Sequence, residues 1–117
     1  MKLGLTCYIE GLERMEHDKS VDPFLFVALQ RAFFDGAIQL LEQNSTPESK
    51  KSILKQLNEF EKTRDRITPL VTHNSPTLTQ FQIQILDSMM QKCIKSYNQM
   101  QILLKNPKRK TKSRMYV

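Results

Sequence analysis

The sequence predicts an all-α protein: an antiparallel four-helix bundle followed by a disordered basic C-terminal tail. Apolar residues recur at intervals of three and four along most of the 117-residue chain, which is the spacing of an amphipathic helix. Prolines that follow capping residues divide these periodic stretches into segments. Chains of this length usually form one domain, so we expect a bundle domain over residues 1–105 and a tail over residues 106–117.

The first predicted helix covers residues 3–18. Its apolar positions follow helical spacing at Leu5, Ile9, Leu12 and Met15. Residues 3–10 also alternate between apolar and polar side chains, so a strand is the alternative for this part. The chain offers no second strand that could pair with it, which favours the helix.

The second predicted helix covers residues 23–43 and starts at Asp22-Pro23. An aspartate oxygen caps the first turn, and proline is well tolerated at the first helical position. Its apolar face is wider than an ordinary amphipathic stripe and comprises Phe24, Phe26, Val27, Leu29, Phe33, Phe34, Ala37, Ile38, Leu40 and Leu41. Such a helix is expected at the centre of a bundle, or partly covered by another chain.

The third and fourth predicted helices cover residues 47–66 and 77–105. The third starts at Thr46-Pro47 and has a narrow apolar stripe opposite a charged face. Pro69 and Pro76 predict a loop over residues 67–76, because proline disrupts a helix interior. The fourth helix would be about 40 Å long, so we expect its C-terminal end to project or to meet a second subunit.

The basic charge of the chain is concentrated at its C-terminal end. The chain has 18 basic and 12 acidic residues. Its last thirteen residues contain no acid and six cations, namely Lys105, Lys108, Arg109, Lys110, Lys112 and Arg114. This segment is either a solvated tail or an electrostatic arm for nucleic acid or an anionic surface. Contacts to phosphates would supply affinity without sequence specificity.

Residues that usually carry catalysis do not converge in the sequence. His17 and His73 are far apart, and Cys7 and Cys93 lack the spacing of metal ligands. Phosphate-binding glycine loops, serine elbows and zinc-binding helix patterns do not occur. We therefore predict a protein that is not an enzyme and that needs no cofactor and no metal.

The apolar runs are short compared with a membrane span. The longest unbroken run, Phe24 to Leu29, has six residues, whereas a span needs about 20. The N-terminal residues also lack the apolar core of a secretory signal. We expect no membrane span and a cytoplasmic location.

Residues 20–43 contain Phe34-Asp35-Gly36-Ala37, flanked by Leu29, Ile38 and Leu41. This stretch resembles the second helix of the flagellar export chaperones that hold flagellin, in which an aromatic-Asp-Gly-Ala core stands between apolar turns. The resemblance implies a non-catalytic cytoplasmic bundle. The apolar surfaces of such a bundle receive helical segments of an unfolded export substrate.

Together these observations predict a helical-bundle adaptor or chaperone that binds a helical segment of a protein partner. The predicted partner-binding apolar surface comprises Phe24, Phe26, Val27, Phe34, Ile38, Met89 and Met90. A homodimer formed through the long fourth helix is a further expectation. The alternative function is a nucleic-acid-associated helical protein or regulator that uses the basic tail.

Overall fold

The structure, a computed structural model, describes residues 5–20, 22–74 and 76–105. These residues form four helices and no strand, so the predicted all-α four-helix architecture is confirmed. The helices are α1 (Leu5–Asp18), α2 (Pro23–Gln43), α3 (Pro47–Asn74) and α4 (Gln80–Lys105). The predicted tail over residues 106–117, and residues 3 and 4 of the first predicted helix, lie outside the described residues.

The helix α2 occupies the centre of the bundle and packs against α1, α3 and α4. It runs antiparallel to α1, because Gly11 of α1 packs against Leu29 and the earlier Leu5 packs against the later Gly36. Both glycines bring the two helix backbones close together. A Cβ at Gly11 would lie 2.9 Å from a methyl carbon of Leu29.

The helix α4 runs parallel to α2 and packs along it. Val27 and Met89 line one small pocket, and seven residues further along α2 the ring of Phe34 meets that of Tyr97. The two helices therefore advance in the same direction. This is the relation expected between the second and fourth members of a bundle whose consecutive helices alternate in direction.

Aromatic side chains form the middle of the core. Phe33 and Phe60 are fully buried and stacked, with ring centroids 4.2 Å apart. Phe34 meets Tyr97 edge-on at 5.2 Å. The four apolar positions predicted for the first helix are all buried and complete this core, namely Leu5, Ile9, Leu12 and Met15.

Side-chain caps fix where the helices begin. Asp22 accepts hydrogen bonds from the backbone N–H groups of Phe24 and Leu25, at 2.9 and 3.3 Å, which confirms the predicted start of α2. Thr79 and Gln82 form a reciprocal capping box before α4: each side chain accepts a hydrogen bond from the other's backbone N–H. The predicted start of this helix at residue 77 is therefore wrong by three residues.

The predicted loop over residues 67–76 is wrong, because α3 continues through Pro69 to Asn74. Ile67 and Val71 are 0% and 6% exposed and extend the apolar stripe of α3 by one more turn. Burying each of them contributes about 1.5–3 kcal/mol. This offsets the roughly 3 kcal/mol that a proline in the helix interior costs.

The N-terminal end of α4 projects from the bundle. Pro23, the first residue of α2, lies level with Leu86 and Met90 of α4, since all three line one groove. The first six residues of α4 therefore extend past α2, and every residue from 79 to 85 is exposed. At the other end Met100 is fully buried. The prediction that the C-terminal end projects is therefore wrong for the described part of the helix.

The central helix α2 is also long and apolar enough, by length and composition alone, to cross a membrane. It has 21 residues, and its most apolar 18-residue window has a mean hydropathy of 1.4 and is one-third buried. The expectation of no membrane span depends on the length of unbroken apolar runs. The mean hydropathy over 18 residues is high in α2 although single polar residues interrupt those runs. The central helix of a bundle has the same composition, and α2 here contacts α1, α3 and α4.

Candidate functional site

An apolar groove of about 430 Å³ opens between α2, the C-terminal part of α3 and the N-terminal half of α4. Its main apolar lining residues are Phe26, Val27, Val71, Leu86, Met90 and Ile94. The volume falls within the range of small-ligand and peptide-anchor pockets, about 300–1,000 Å³. A second depression of about 480 Å³ between α1 and α3 has a largely polar and charged lining, so the groove is the more apolar of the two.

The groove is open because α4 packs mainly against one described helix, α2. Within the described residues, α4 lies along α2 and forms no comparable interface with α1 or α3. The side of the bundle between α3 and α4 is therefore open. Val71 reaches this opening from α3, and Met90 reaches it from α4.

An exposed apolar strip on α4, formed by Ile83, Met90 and Ile94, runs along one rim of the groove; Met90 and Ile94 line the groove, and Ile83 continues the strip onto the projecting end. These side chains are 47%, 45% and 57% exposed. Their spacing of seven and then four residues places them on one face of the helix. Contiguous exposed apolar surface of this kind marks interaction sites in soluble proteins.

The polar side chains in the groove are already hydrogen-bonded within their own helices. The amide NH₂ of Gln30 donates to the carbonyl oxygen of Phe26 at 3.3 Å. The hydroxyl of Thr72 donates to the carbonyl oxygen of Thr68 at 2.6 Å. The groove therefore presents mainly apolar surface, which suits aliphatic or aromatic side chains of a ligand rather than a charged group.

Cys93 lies in the floor of the groove and is 8% exposed. Burial raises the pKa of the Cys93 thiol, and the nearby Asp35 carboxylate raises it further. A thiol that stays protonated is a poor nucleophile and packs as a small apolar group. Among the described residues, no three His, Cys, Asp or Glu side chains form a cluster that could hold a metal ion.

Asp35 joins α2 to α4 and lines a small pocket between these two helices, not the groove. Its carboxylate accepts a hydrogen bond from the hydroxyl of Ser96 at 2.5 Å and forms an ion pair with Arg31 at 3.3 Å. The next residue, Gly36, faces α1, where a Cβ would lie 3.1 Å from a methyl carbon of Leu5. The aromatic-Asp-Gly-Ala stretch that carries the family resemblance is thus the place where α2 meets both α1 and α4.

The structure brings three residues of the predicted partner-binding surface into the groove: Phe26, Val27 and Met90. Phe34 is only 2% exposed and forms part of the aromatic core. Its prediction as a surface contact is corrected, because α4 covers this side chain.

The other predicted members of this surface lie outside the groove. Met89 is half-buried and lines a smaller pocket on the opposite side of the α2–α4 contact. Phe24 and Ile38 are half-buried on α2, and Ile38 packs against the core.

Three of the main apolar residues of the groove were not predicted to bind a partner. The predicted loop contained Val71, and Leu86 and Ile94 fall within the predicted fourth helix without having been singled out as contacts. Periodicity places a residue on a helix face but does not tell which neighbouring helix covers that face. The spacing of Ile83, Met90 and Ile94 is the one signal in the sequence that could have marked the strip.

Lys105 and the two histidines do not line the groove. Lys105 is exposed at the end of α4, and the other five predicted cations lie outside the described residues. His17 is exposed and contacts Asp18 at 3.1 Å, and His73 is exposed at the end of α3.

No family model, curated protein or solved structure matches the chain. The functional argument therefore depends on the geometry of the groove and on its composition.

Proposed function

We propose that this protein is a non-catalytic adaptor or chaperone that binds a helical segment of a protein partner. The observation that carries the proposal is the open apolar groove between α2, α3 and α4, together with the exposed strip on its α4 rim. An export or secretion chaperone in the cytoplasm is the specific form that the resemblance of residues 20–43 implies.

The dimensions of the groove support a helical ligand. From Leu86 to Ile94 the α4 wall of the groove spans eight residues, which is about 12 Å or two helical turns. A ligand helix presents apolar side chains at positions i, i+3 or i+4, and i+7 along one face, over about 10 Å. Three such side chains match the length of this wall.

The expected affinity is low. Burying three apolar anchors contributes about 1.5–3 kcal/mol each, or about 9 kcal/mol at most, from which an association cost of at least about 4 kcal/mol must be subtracted. The remaining free energy of about 5 kcal/mol corresponds to a Kd on the order of 0.1–1 mM. Exchange of partners would then be fast, as an adaptor or a chaperone requires.

A labelled amphipathic peptide tests this proposal. The probe is a fluorescein-labelled, leucine-rich helical peptide of about 18 residues, titrated with the full chain and followed by fluorescence anisotropy. We expect Ile94→Lys to weaken binding at least about tenfold, because it places a charge in the apolar rim. Equal binding by this variant and the wild type would contradict the proposal.

The chain offers a matched control for this variant. Ile102 lies on the same helix and is 58% exposed, compared with 57% for Ile94, but it does not line the groove. Ile102→Lys introduces the same charge at the same exposure and should leave peptide affinity within about twofold. Equal losses in both variants would mean that charge on α4, rather than the groove, determines binding.

The charge distribution supports a second candidate, a nucleic-acid-associated protein or regulator. The last thirteen residues carry six cations and no acid, while the rest of the chain is balanced. Deleting residues 106–117 should abolish binding to a fluorescent DNA duplex at low salt and leave the helical circular dichroism unchanged. Unchanged DNA binding after the deletion would contradict this candidate.

A further inference from the structure

The projecting end of α4 is apolar on two opposite sides, which are separated by Gln80, Gln82 and Gln84. Ile83 lies on the groove side of the helix, whereas Phe81 and Ile85 lie on the opposite flank, two residues away in each direction. Phe81 is 70% exposed and Ile85 is 39% exposed. An apolar helix face normally packs against another element, yet no described helix of this chain covers either side of these turns.

The groove offers an enclosure for such a helix end, because its walls come from α2, α3 and α4. The two isoleucines of the strip on α4 also match each other when the strip is reversed. Its midpoint, between Asp87 and Met90, lies equally far from Ile83 and Ile94. A two-fold axis at that midpoint places Ile83 of each copy opposite Ile94 of the other. The same axis places Met90 opposite Asp87, whose carboxylate accepts a hydrogen bond from the amide of Gln91.

We propose that a second copy of this chain occupies the groove in the free protein. The two α4 helices pack antiparallel along their strips, and the projecting turns of each copy enter the groove of the other. One flank of the inserted end, with Ile83, faces α4 of the second copy. The other flank, with Phe81 and Ile85, faces its α3. The inference rests on the proposed function of the groove and identifies what occupies the groove in the absence of a partner.

The exposed area agrees with the requirement of a stable dimer. Five apolar residues on the projecting end and the strip are exposed, namely Phe81, Ile83, Ile85, Met90 and Ile94. Their exposed fractions together equal between two and three fully exposed side chains. At about 150–200 Å² for each complete side chain, they offer roughly 450 Å² of apolar surface per copy. Since interfaces are somewhat more than half apolar, a standard interface of about 800 Å² per copy needs about this much apolar surface.

The arrangement links dimerisation to partner binding. A ligand helix and the α4 end of the second copy compete for one groove, so a partner must displace the dimer. The apparent affinity for a ligand peptide should therefore fall as the protein concentration rises. The dimer would also shield the apolar groove from nonspecific association while no partner is present.

Sedimentation velocity of the full chain from about 1 to 200 μM tests the proposal. The wild type should shift from monomer to dimer within this range. Phe81→Lys should weaken the dimer at least about 30-fold, since both copies lose an apolar contact. Ile102→Lys should have no effect. A wild type that stays monomeric throughout, or a dimer that tolerates Phe81→Lys, would overturn the proposal.

The same variant separates this proposal from the proposed function. Phe81 lies on the flank of α4 opposite the strip and does not line the groove of its own chain. A monomeric Phe81→Lys protein should therefore bind the helical peptide at least as tightly as the wild type does. Loss of dimerisation with retained peptide binding supports both proposals. A dimer that binds no peptide, even after dilution to monomer, would contradict only the proposed function.

A disulfide crosslink tests the register. In a Cys7→Ser, Cys93→Ser background, the double variant Ile83→Cys, Ile94→Cys should form a covalent dimer on mild oxidation. The two positions are about 16 Å apart along one helix, too far for a disulfide within one chain. The pair Ile83→Cys, Ile102→Cys should crosslink at least about tenfold more slowly. Equal rates for the two pairs would overturn the antiparallel register.

Discussion

Replacing Pro69 with alanine should stabilise the protein. Pro69 lies inside α3 and is exposed, so alanine loses little buried area. It restores the backbone N–H that the carbonyl oxygen of Asp65 lacks, and it removes the clash of the proline ring with the preceding turn. In a helix interior, proline is about 3 kcal/mol less favourable than alanine.

Part of this gain is lost in the unfolded chain. Proline restricts the unfolded state, and removing it costs roughly 0.4–1 kcal/mol. The net effect of Pro69→Ala should be about 2 kcal/mol of added unfolding free energy, or a rise in Tm of roughly 8 °C. The surrounding helix tolerates the proline because Ile67 and Val71 are buried on its inner face.

Urea denaturation followed by circular dichroism measures this effect. Pro76→Ala is the control, because Pro76 is exposed in the connection between α3 and α4. It should change the unfolding free energy by less than about 1 kcal/mol, in the destabilising direction. If Pro69→Ala behaves like Pro76→Ala, residues 67–74 are a loop in solution and the explanation given for α3 is refuted.

Three further predictions concern single contacts. Ser96→Ala should lower the unfolding free energy by about 1 kcal/mol in urea denaturation, since it removes the hydrogen bond to the partly exposed Asp35. Lys19→Gly should raise the melting temperature, with a gain of about 1 kcal/mol, because Lys19 has a φ of 56° after α1. The hydrogen bonds from Arg66 lower the pKa of Glu16. The ion pair therefore stabilises the folded protein at pH values above the ordinary carboxyl pKa, and this stabilisation is lost as the pH falls through the lowered pKa. Replacing Glu16 with glutamine should therefore flatten the pH dependence of the melting temperature between about pH 5 and pH 3, and an unchanged profile would contradict this assignment.

Much of the fold could be predicted from the sequence because the apolar periodicity and the capping residues agree with the side chains that the structure buries and caps. The four periodic positions of α1 are all buried. The aspartate before Pro23 and the threonine before Pro47 both cap their helices as predicted. These features depend on neighbours within a few residues along the chain, which a single sequence displays directly.

The errors occur where tertiary contacts override a local rule. Pro69 predicts the end of a helix, yet burial of Ile67 and Val71 continues it. Helix length predicted a projecting end on α4, but only the register against α2 decides which end projects. That register depends on contacts such as the one between Asp35 and Ser96, which are distant in sequence.

The groove was only partly predictable for the same reason. An apolar face of excess width on α2 indicated a surface for a partner, but most of that face is covered by α1 and α4. The remaining opening depends on the absence of a substantial contact between α3 and α4 within the described residues. Phe34 illustrates the difference, since it belongs to the predicted apolar face and yet lies in the core.

Methyl NMR of methionine side chains gives the most direct test of the groove. With ¹³C-methyl methionine in the full chain, titration of the amphipathic peptide should shift the resonance of Met90, which lines the groove. The resonances of Met15 and Met100, which are 2% and 0% exposed in the core, should stay within the line width. A bound peptide that leaves Met90 unchanged, or that moves all three resonances equally, would contradict a helix-binding groove between α2, α3 and α4.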